Sequence, residues 1–298
     1  MERKDRIDLF GGTTLMMFSA LLGLNQVMIK LVNGGLQPVF SAGLRSALAL
    51  VIVLGFALWR GQRLGIRDGS LVPGILTGIL FGSEFVFLFL ALDYTTVARA
   101  SIFFYSMPIW MALGAHFLVP GERITAVRAL GLLLAMAGVI WAFSDRGAGS
   151  GNALGDILCT IGAMFWAAIG LTARLSRMNR ATPEMQLLYQ LAVSSVILIP
   201  LSLLFGPLIR DLQIWHLGIF AVMVIGVVSV GFLLWFWLLS IYPASDMAAF
   251  SFLAPVFGVI FGWLILGEQI GVTIIGALVL VCAGIVLISR KPRPVSEA

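Results

Sequence analysis

Long runs of apolar residues, separated by short segments that contain glycine and charged residues, dominate the sequence. A helix needs about 20 mostly apolar residues to cross the hydrocarbon core of a bilayer. With this length as the criterion, we predict ten membrane-spanning helices, at residues 9–31, 37–59, 70–92, 96–118, 124–143, 154–173, 184–205, 214–239, 243–266 and 270–289. The linkers carry turn residues, as in Asn33-Gly34-Gly35, and leave no room for a soluble domain. The pattern therefore predicts an all-α integral membrane protein.

The composition agrees with this prediction. Of the 298 residues, 60% are hydrophobic and 11% are charged, whereas about a quarter are charged in soluble domains. A net charge of +5 could indicate a nucleic-acid partner in a soluble protein, but here the cations lie in short loops between the spans, so we expect none. Cys159 and Cys282 lie inside apolar segments, which favours neither a disulfide nor a metal site. We predict no metal and no other cofactor.

Lys and Arg are divided unequally between the two sides of the predicted spans. Most of them lie on one side, namely Arg3, Lys4, Arg6, Arg60, Arg63, Arg67, Arg123, Arg128, Arg174, Arg177, Arg180, Arg290, Lys291 and Arg293. The opposite side, called here the predicted outer side, carries only Lys30, Arg99, Arg146 and Arg210, while Arg45 lies within its span. Because such cations accumulate in cytoplasmic loops, we expect both termini to be cytoplasmic, in a bacterial-type inner membrane.

The two halves of the chain carry similar landmarks in the same order. Pro108 precedes Leu118-Val119-Pro120-Gly121-Glu122, and Pro255 precedes Leu264-Ile265-Leu266-Gly267-Glu268. Further paired landmarks are Ala137-Gly138 with Ala283-Gly284, Pro38 with Pro183, and Lys30 with Arg174. Since five spans per half is an odd number, the halves must have opposite orientations in the membrane. We predict two inverted five-helix repeats, residues 1–147 and 148–298, around a central cavity.

These landmarks resemble the drug/metabolite transporter superfamily, in the group with duplicated EamA-type domains. The shared features are the ten spans, Pro108 and Pro255 in the fourth helix of each half, the turns Gly121-Glu122 and Gly267-Glu268, and the Trp166-(x)7-Arg174 spacing. The resemblance covers essentially the whole chain. Within the superfamily, the chain is similar to bacterial exporters of amino acids, particularly aromatic ones. The resemblance thus implies a secondary transporter that exports amino acids and related metabolites by alternating access.

Glu84 lies in the middle of the third predicted span. A carboxylate at this depth normally faces a water-filled cavity, a partner or a transported solute. Helical spacing places it on one face with Phe81, and alignment of the repeats places Gly231 at the equivalent position. We hypothesise that Glu84 binds the ammonium group of an amino acid or senses a proton. The alternative is a structural acid that is paired with a hydroxyl or kept protonated.

Further cavity-lining candidates lie on the fourth and ninth spans. Ser101, Tyr105 and Pro108 share a face of the fourth span, and Ser251 and Phe252 lie on a similar stripe of the ninth. Each stripe ends in a proline, Pro108 or its equivalent Pro255. A proline removes a backbone hydrogen bond one turn earlier, which permits a kink or hinge, although static packing explains both prolines equally well.

Polar side chains in other spans complete the list. Asn25 or Gln26, and Trp166, are candidates because amides and indoles seek polar partners inside a bilayer, and hydrogen bonds between helices are the alternative explanation.

Three cations, Lys30, Arg45 and Arg99, could attract a solute carboxylate. Arg45 is the deepest, and extension to the membrane surface is the ordinary role of such side chains. We interpret Glu122 and Glu268 as residues that brace turns.

Other functions remain as alternatives. A multidrug or cationic-compound exporter of the same superfamily would have the same architecture. A membrane enzyme would need clustered acids or a nucleophile with its base, and the few acids are scattered, so no catalytic residue is predicted. A channel would need a filter segment, and none is visible. Hydrolysis of ATP is not expected, since no P-loop occurs. The duplicated plan offers a complete pathway in one chain, which favours a functional monomer.

Overall fold

The computed structural model describes residues 7–62, 64–65, 68–120, 124–144, 152–242, 247 and 250–289. For Asn179, Phe236, Leu239, Ser240 and Ser251 it describes the backbone only. Within these ranges the chain is helical apart from turns and one isolated bridge between Leu36 and Ile209.

The first half of the described chain forms six α-helices. They are α1 (Leu9–Val32), α2 (Pro38–Trp59), α3 (Leu71–Tyr94), α4 (Val97–Phe104), α5 (Met107–Leu118) and α6 (Ala126–Ser144).

The second half contains six further α-helices and a π-helix. These elements are α7 (Ala153–Leu175), α8 (Pro183–Ser202), α9 (Ile214–Val222), the π-helix Met223–Gly231, α10 (Phe232–Ile241), α11 (Leu253–Leu266) and α12 (Val272–Ser289). Short 3-10 turns lie at Arg177–Arg180, Leu203–Phe205 and Phe250–Phe252.

Nine helical segments in the described ranges are long and apolar enough to cross a membrane. They correspond to every predicted span except the ninth. For that span the structure describes residue 247 and residues 250–266, which include the shorter apolar helix α11. Large apolar side chains such as Trp59, Ile214 and Val272 are largely exposed, as expected for a surface that faces lipid. The prediction of an all-α, multi-pass membrane protein is confirmed.

Several helices begin where the sequence supplies both a capping side chain and a proline. The Gln37 side chain accepts a hydrogen bond from the backbone N–H of Phe40, and Pro38 opens α2. Thr182 caps α8 in the same way, ahead of Pro183. Because proline lacks the N–H that a first helical turn leaves unpaired, these positions favour helix initiation.

Helices from the two halves pack directly against each other. The helix α1 lies along α11, α2 and α3 lie along α8, α3 lies along α7, and α6 lies along α12. Glycines permit the closest of these approaches. A Cβ added at Gly23 of α1 would lie 2.6 Å from the backbone nitrogen of Gly258 in α11, and one added at Gly131 of α6 would lie 2.8 Å from the carbonyl oxygen of Gly284 in α12. Such small residues let membrane helices approach closely.

Two spans are irregular in the interior. The fourth is interrupted at Tyr105 and Ser106, so that α4 ends before α5 begins, and Pro108 is the second residue of α5. The eighth contains the π-helix, where Ser229 Oγ donates to the carbonyl oxygen of Val224 at 2.9 Å. Pro255 is the third residue of α11. Irregular backbone inside a membrane protein is tolerated where neighbouring groups satisfy it or where it lines a cavity.

Candidate functional site

Glu84 is buried on the interior face of α3, with 4% of its surface exposed. Phe81 and Phe85 are buried on the same helix. In the described part of the chain, no hydrogen bond or ion pair engages the Glu84 carboxylate. The guanidinium of Arg45 on α2 lies over the ring of Phe85, the residue that follows Glu84 on α3. The Glu84 side chain is therefore buried, and no described side chain binds its carboxylate.

Arg45 is even more deeply buried, with 1% of its surface exposed. Its guanidinium carbon lies 4.0 Å from the centroid of the Phe85 ring and 4.9 Å from that of Phe89. These cation–π contacts hold the charge in an apolar setting. The Nε and Nη2 atoms have no hydrogen-bond partner among the described residues. Arg45 thus presents donors that no described residue engages, beside the residue that follows Glu84 on α3.

The other two candidate cations are engaged by the protein. Lys30 Nζ donates to the carbonyl oxygens of Leu92 and Thr95. Arg99 does not extend to a membrane surface, because it is 1% exposed and forms an ion pair with Asp156, with Nη2 2.6 Å from Oδ2. Both side chains join elements at the predicted outer end, and neither resembles a free carboxylate-binding group.

Ser101 and Gln26 contact each other across the interface of α4 and α1. Ser101 Oγ lies 2.6 Å from Gln26 Oε1 and donates to it. Gln26 Nε2 and Asn25 Oδ1 are both buried without a partner in the described chain. Gly258 of α11 lies directly against this pair, since a Cβ there would overlap Ser101 Oγ. Of the two amides, Gln26 therefore holds helices together, and Asn25 has the freer oxygen.

Aromatic rings form two groups near Glu84. Trp166 of α7 stacks on Phe104, with centroids 5.1 Å apart, and meets Tyr105 edge to face at 5.9 Å. On α3, Phe81 contacts Phe85 at 4.6 Å and Phe232 of α10 at 6.5 Å. Tyr105 and Phe81 thus connect the region of Glu84 to aromatic side chains of both halves.

The structure describes only some of the candidate side chains of the ninth span. Phe252 is partly buried against the main apolar core, and its carbonyl oxygen accepts a hydrogen bond from Cys282 Sγ at 3.5 Å. Pro255 is buried. The side chain of Ser251 lies outside the described part of the structure. Of the two turn acids, Glu122 lies outside the described residues, and Glu268 accepts hydrogen bonds from the N–H groups of Val97 and Ala98.

Sequence reasoning did not identify Asp156 or the helix that Glu268 caps. Asp156 Oδ1 also accepts from Thr95 Oγ1 at 2.9 Å, so one carboxylate engages both Thr95 and Arg99. Glu268 caps the start of α4, a helix of the other half. An acid in the first turn of α7 was a visible signal, but its partner is distant in the sequence.

No group of His, Cys, Asp and Glu side chains in the described ranges is arranged to hold a metal.

Several known proteins are similar to this chain over most of its length. A probable amino-acid metabolite efflux pump of Escherichia coli is 28% identical over 94% of this chain and 93% of its own. The aromatic amino acid exporter YddG of Ancylobacter novellus is 26% identical, over 83% and 84%. The uncharacterized transporter YoaV of Bacillus subtilis is 24% identical, over 88% and 91%.

One solved crystal structure has the same fold. It aligns with a TM-score of 0.67 and 20% sequence identity, over 92% of this chain and 95% of its own. The sequence profile of the EamA-like transporter family matches twice, at residues 9–144 and again at residues 153–290. Together the two matches cover nearly the whole sequence. The chain therefore belongs to the EamA-like transporter family, within the drug/metabolite transporter superfamily.

Proposed function

We propose that this protein is a secondary transporter that exports amino acids, including aromatic ones, and related small metabolites by alternating access. It would lie in the cytoplasmic membrane with both termini in the cytoplasm. Two inverted repeats, residues 1–147 and 148–298, would enclose a central cavity in a functional monomer. The family assignment and the names of the Escherichia coli and Ancylobacter novellus relatives support this substrate class.

The observation that carries the proposal is that Glu84 is buried and has no partner among the described residues. A carboxylate inside a membrane-spanning helix is costly to bury and is normally paired or functional. Glu84 is buried, and no described residue forms a hydrogen bond or ion pair with it. A transported ammonium group or a coupling proton would supply the missing partner. Tyr105 and Trp166, in edge-to-face contact at 5.9 Å, provide aromatic surface that suits an aromatic amino acid.

The polar contacts at the predicted outer end support a conformation that is closed there. The Arg99–Asp156 ion pair joins α4 to α7, and Arg210 of the second half binds Asp93 of the first at 2.8 Å. Lys30 connects α1 to the turn after α3. Opening toward the outer side would require several of these contacts to break together. In this proposal they form the outer gate of the transport cycle.

Transport by purified protein in proteoliposomes tests the proposal. The initial uptake of labelled phenylalanine, threonine and a cationic dye would be measured with and without a pH gradient. We expect saturable phenylalanine uptake in which threonine competes, and a reduction of about tenfold or more in Glu84→Gln. The matched control is Glu184→Gln, which removes a carboxylate in the first turn of α8 and should transport normally.

The other outcomes separate the alternatives. Dye transport without phenylalanine transport would overturn amino-acid export in favour of cationic compounds. Absence of any flux would overturn the proposed function. Normal phenylalanine uptake by well-folded Glu84→Gln would remove Glu84 from the mechanism while leaving the substrate class intact.

A further inference from the structure

We infer that Arg45 and Glu84 form a single binding site for a zwitterion, in which Arg45 binds the carboxylate of the solute and Glu84 binds its ammonium group. This inference rests on the proposed function and specifies its substrate class. Amino acids with both α-charges free would be substrates. Amines, esters and simple carboxylic acids of the same size would be excluded.

The unpaired atoms of Arg45 are the first argument. A guanidinium group offers five N–H donors in a rigid plane, and burial of such a charge without partners is unfavourable. Arg45 is 1% exposed, and neither Nε nor Nη2 has a partner in the described chain. The hydroxyl of Ser41, one helical turn earlier on α2, is also buried and has no partner among the described residues. This part of α2 therefore presents several donors that the described part of the protein does not engage.

The geometry of Arg99 shows what these particular atoms can bind. Arg99 holds the Asp156 carboxylate through the same edge of its guanidinium, with Nε 3.2 Å from Oδ1 and Nη2 2.6 Å from Oδ2. Two parallel hydrogen bonds of this kind are the preferred contact between arginine and a carboxylate. In Arg45 the identical edge has no partner among the described residues. Arg99 thus binds a carboxylate of the protein through this edge, whereas the same edge of Arg45 can bind a carboxylate of the solute.

The absence of a direct ion pair between Arg45 and Glu84 is the third argument. The Arg45 guanidinium lies over the ring of Phe85, the residue that follows Glu84 on α3, so the two side chains lie in the same region of the interior. A direct ion pair would satisfy both groups, but none is formed. Phe85 and Phe89 instead hold the guanidinium through its face, which leaves the edge donors available. Two opposite charges that are close but not joined match the two opposite charges of an amino acid.

Neighbouring groups agree with this orientation. Tyr105, at the end of α4, contacts the rings of Phe104 and Trp166, and the Phe104 ring and the Glu84 carbonyl oxygen both lie 3.4 Å from the position of a Cβ added at Gly162. A solute held by its two α-charges would have its side chain directed toward aromatic surface. Lys30 and Arg99 are engaged by protein groups, so neither competes with Arg45 for the carboxylate.

Competition against labelled phenylalanine in proteoliposomes tests the inference in the wild-type protein. The probes are unlabelled phenylalanine and three analogues that each lack one charge. The methyl ester and phenethylamine lack the carboxylate, and 3-phenylpropionate lacks the ammonium group. We expect each single-charge analogue to compete about tenfold or more weakly than phenylalanine, since each lacks one set of charge-assisted hydrogen bonds. Equal competition by the methyl ester or by phenethylamine would overturn the role of Arg45, even if no variant could be purified.

Variants assign each charge to its residue. Arg45→Gln should weaken phenylalanine binding by about tenfold or more, so that phenylalanine and phenethylamine bind with similar affinity. Glu84→Gln should make the affinities for phenylalanine and 3-phenylpropionate similar. Arg45→Lys, which keeps the charge but loses the planar edge, should be intermediate. Arg60→Gln is the matched control, because it removes an exposed cation at the C-terminal end of the same helix as Arg45 and should keep wild-type discrimination.

Failure of the inference and failure of the proposed function are distinguishable. If the wild type transports phenylalanine but Arg45→Gln still prefers it over phenethylamine, the zwitterion site is wrong and the transporter assignment stands. If the wild type transports no amino acid, both are wrong.

Discussion

Arg99 and Asp156 form a buried ion pair that joins α4 of the first half to α7 of the second, with Nη2 2.6 Å from Oδ2. Their side chains are 2% and 0% exposed, respectively. Thr95 donates a further hydrogen bond to the same carboxylate. Because neither charge reaches water, each depends on the other for its stability inside the membrane domain.

Asp156→Asn should therefore destabilise the protein strongly. The substitution removes the carboxylate charge that Arg99 binds through Nε and Nη2, at an expected cost of about 3 kcal/mol in the free energy of unfolding. Thermal and denaturant unfolding in detergent would measure the loss. The control is Arg210→Gln, which breaks a pair whose side chains are 40% and 20% exposed and should change the same quantity by less than about 1 kcal/mol. Similar losses in the two variants would show that the buried pair has no special role.

Ser101→Ala should lower stability, whereas Asn25→Ala should not. The first removes the 2.6 Å hydrogen bond between α4 and α1 and leaves Gln26 Oε1 without its donor, at a cost of about 1 kcal/mol. The second removes an amide oxygen that has no partner among the described residues. Melting temperatures of the two variants in one detergent would make the comparison. A larger loss of melting temperature for Asn25→Ala than for Ser101→Ala would contradict the view that Gln26 joins helices while the Asn25 oxygen does not.

Gly258→Ala should disturb the contact between α11 and α4. The new Cβ would overlap Ser101 Oγ and lie 2.9 Å from Ser101 Cβ. Relief would require helix displacement, with an expected cost of about 1–3 kcal/mol. Gly55→Ala is the control within a helix, since nothing lies within 4 Å of its Cβ position, and it should be neutral or slightly stabilising. Unfolding measurements and size-exclusion profiles of both proteins would check the difference, and equal stability would exclude tight packing at Gly258.

Trp166→Leu should weaken transport of aromatic amino acids more than that of threonine. The ring contacts both Phe104 and Tyr105, and loss of aromatic contact with a bound side chain should raise the KM for phenylalanine about 2- to 10-fold. Phe165→Leu is the control, because it removes a ring stacked on Phe87 elsewhere between α3 and α7. The KM values for phenylalanine and threonine decide the result. A parallel change for both substrates would assign Trp166 to packing.

The sequence predicted the features that depend on local patterns of apolar and polar residues. Span-length apolar runs predicted the helices, and an isolated acid within one run drew attention to Glu84. The fourth span is broken two residues before Pro108, where a proline-related irregularity was expected. The prediction of membrane-spanning helices is confirmed because its physical cause, the apolar length, is local to each span, whereas the roles of Glu84 and Pro108 stay predictions.

Features that depend on pairs of distant residues could not be predicted. Arg99 and Asp156 are 57 positions apart, and each alone resembles an interfacial residue near a helix end. The difference between Arg45 and Arg99 lies in which neighbours their guanidinium edges meet, and this depends on the packing of four helices. Likewise, the π-helix at Met223–Gly231 has an ordinary apolar composition that an α-helix would also accept.

That π-helix changes how the eighth span relates to its neighbours. Hydrogen bonds from residue i to i+5 wind more residues into each turn than the i to i+4 bonds of an α-helix. The segment is therefore wider and shorter than an α-helix of nine residues. Its conversion to α-helix would lengthen the span and rotate α10 about its axis, which would carry Phe232 away from Phe81. The aromatic surface beside Glu84 is thus linked to the winding of a helix in the opposite half, independently of either proline.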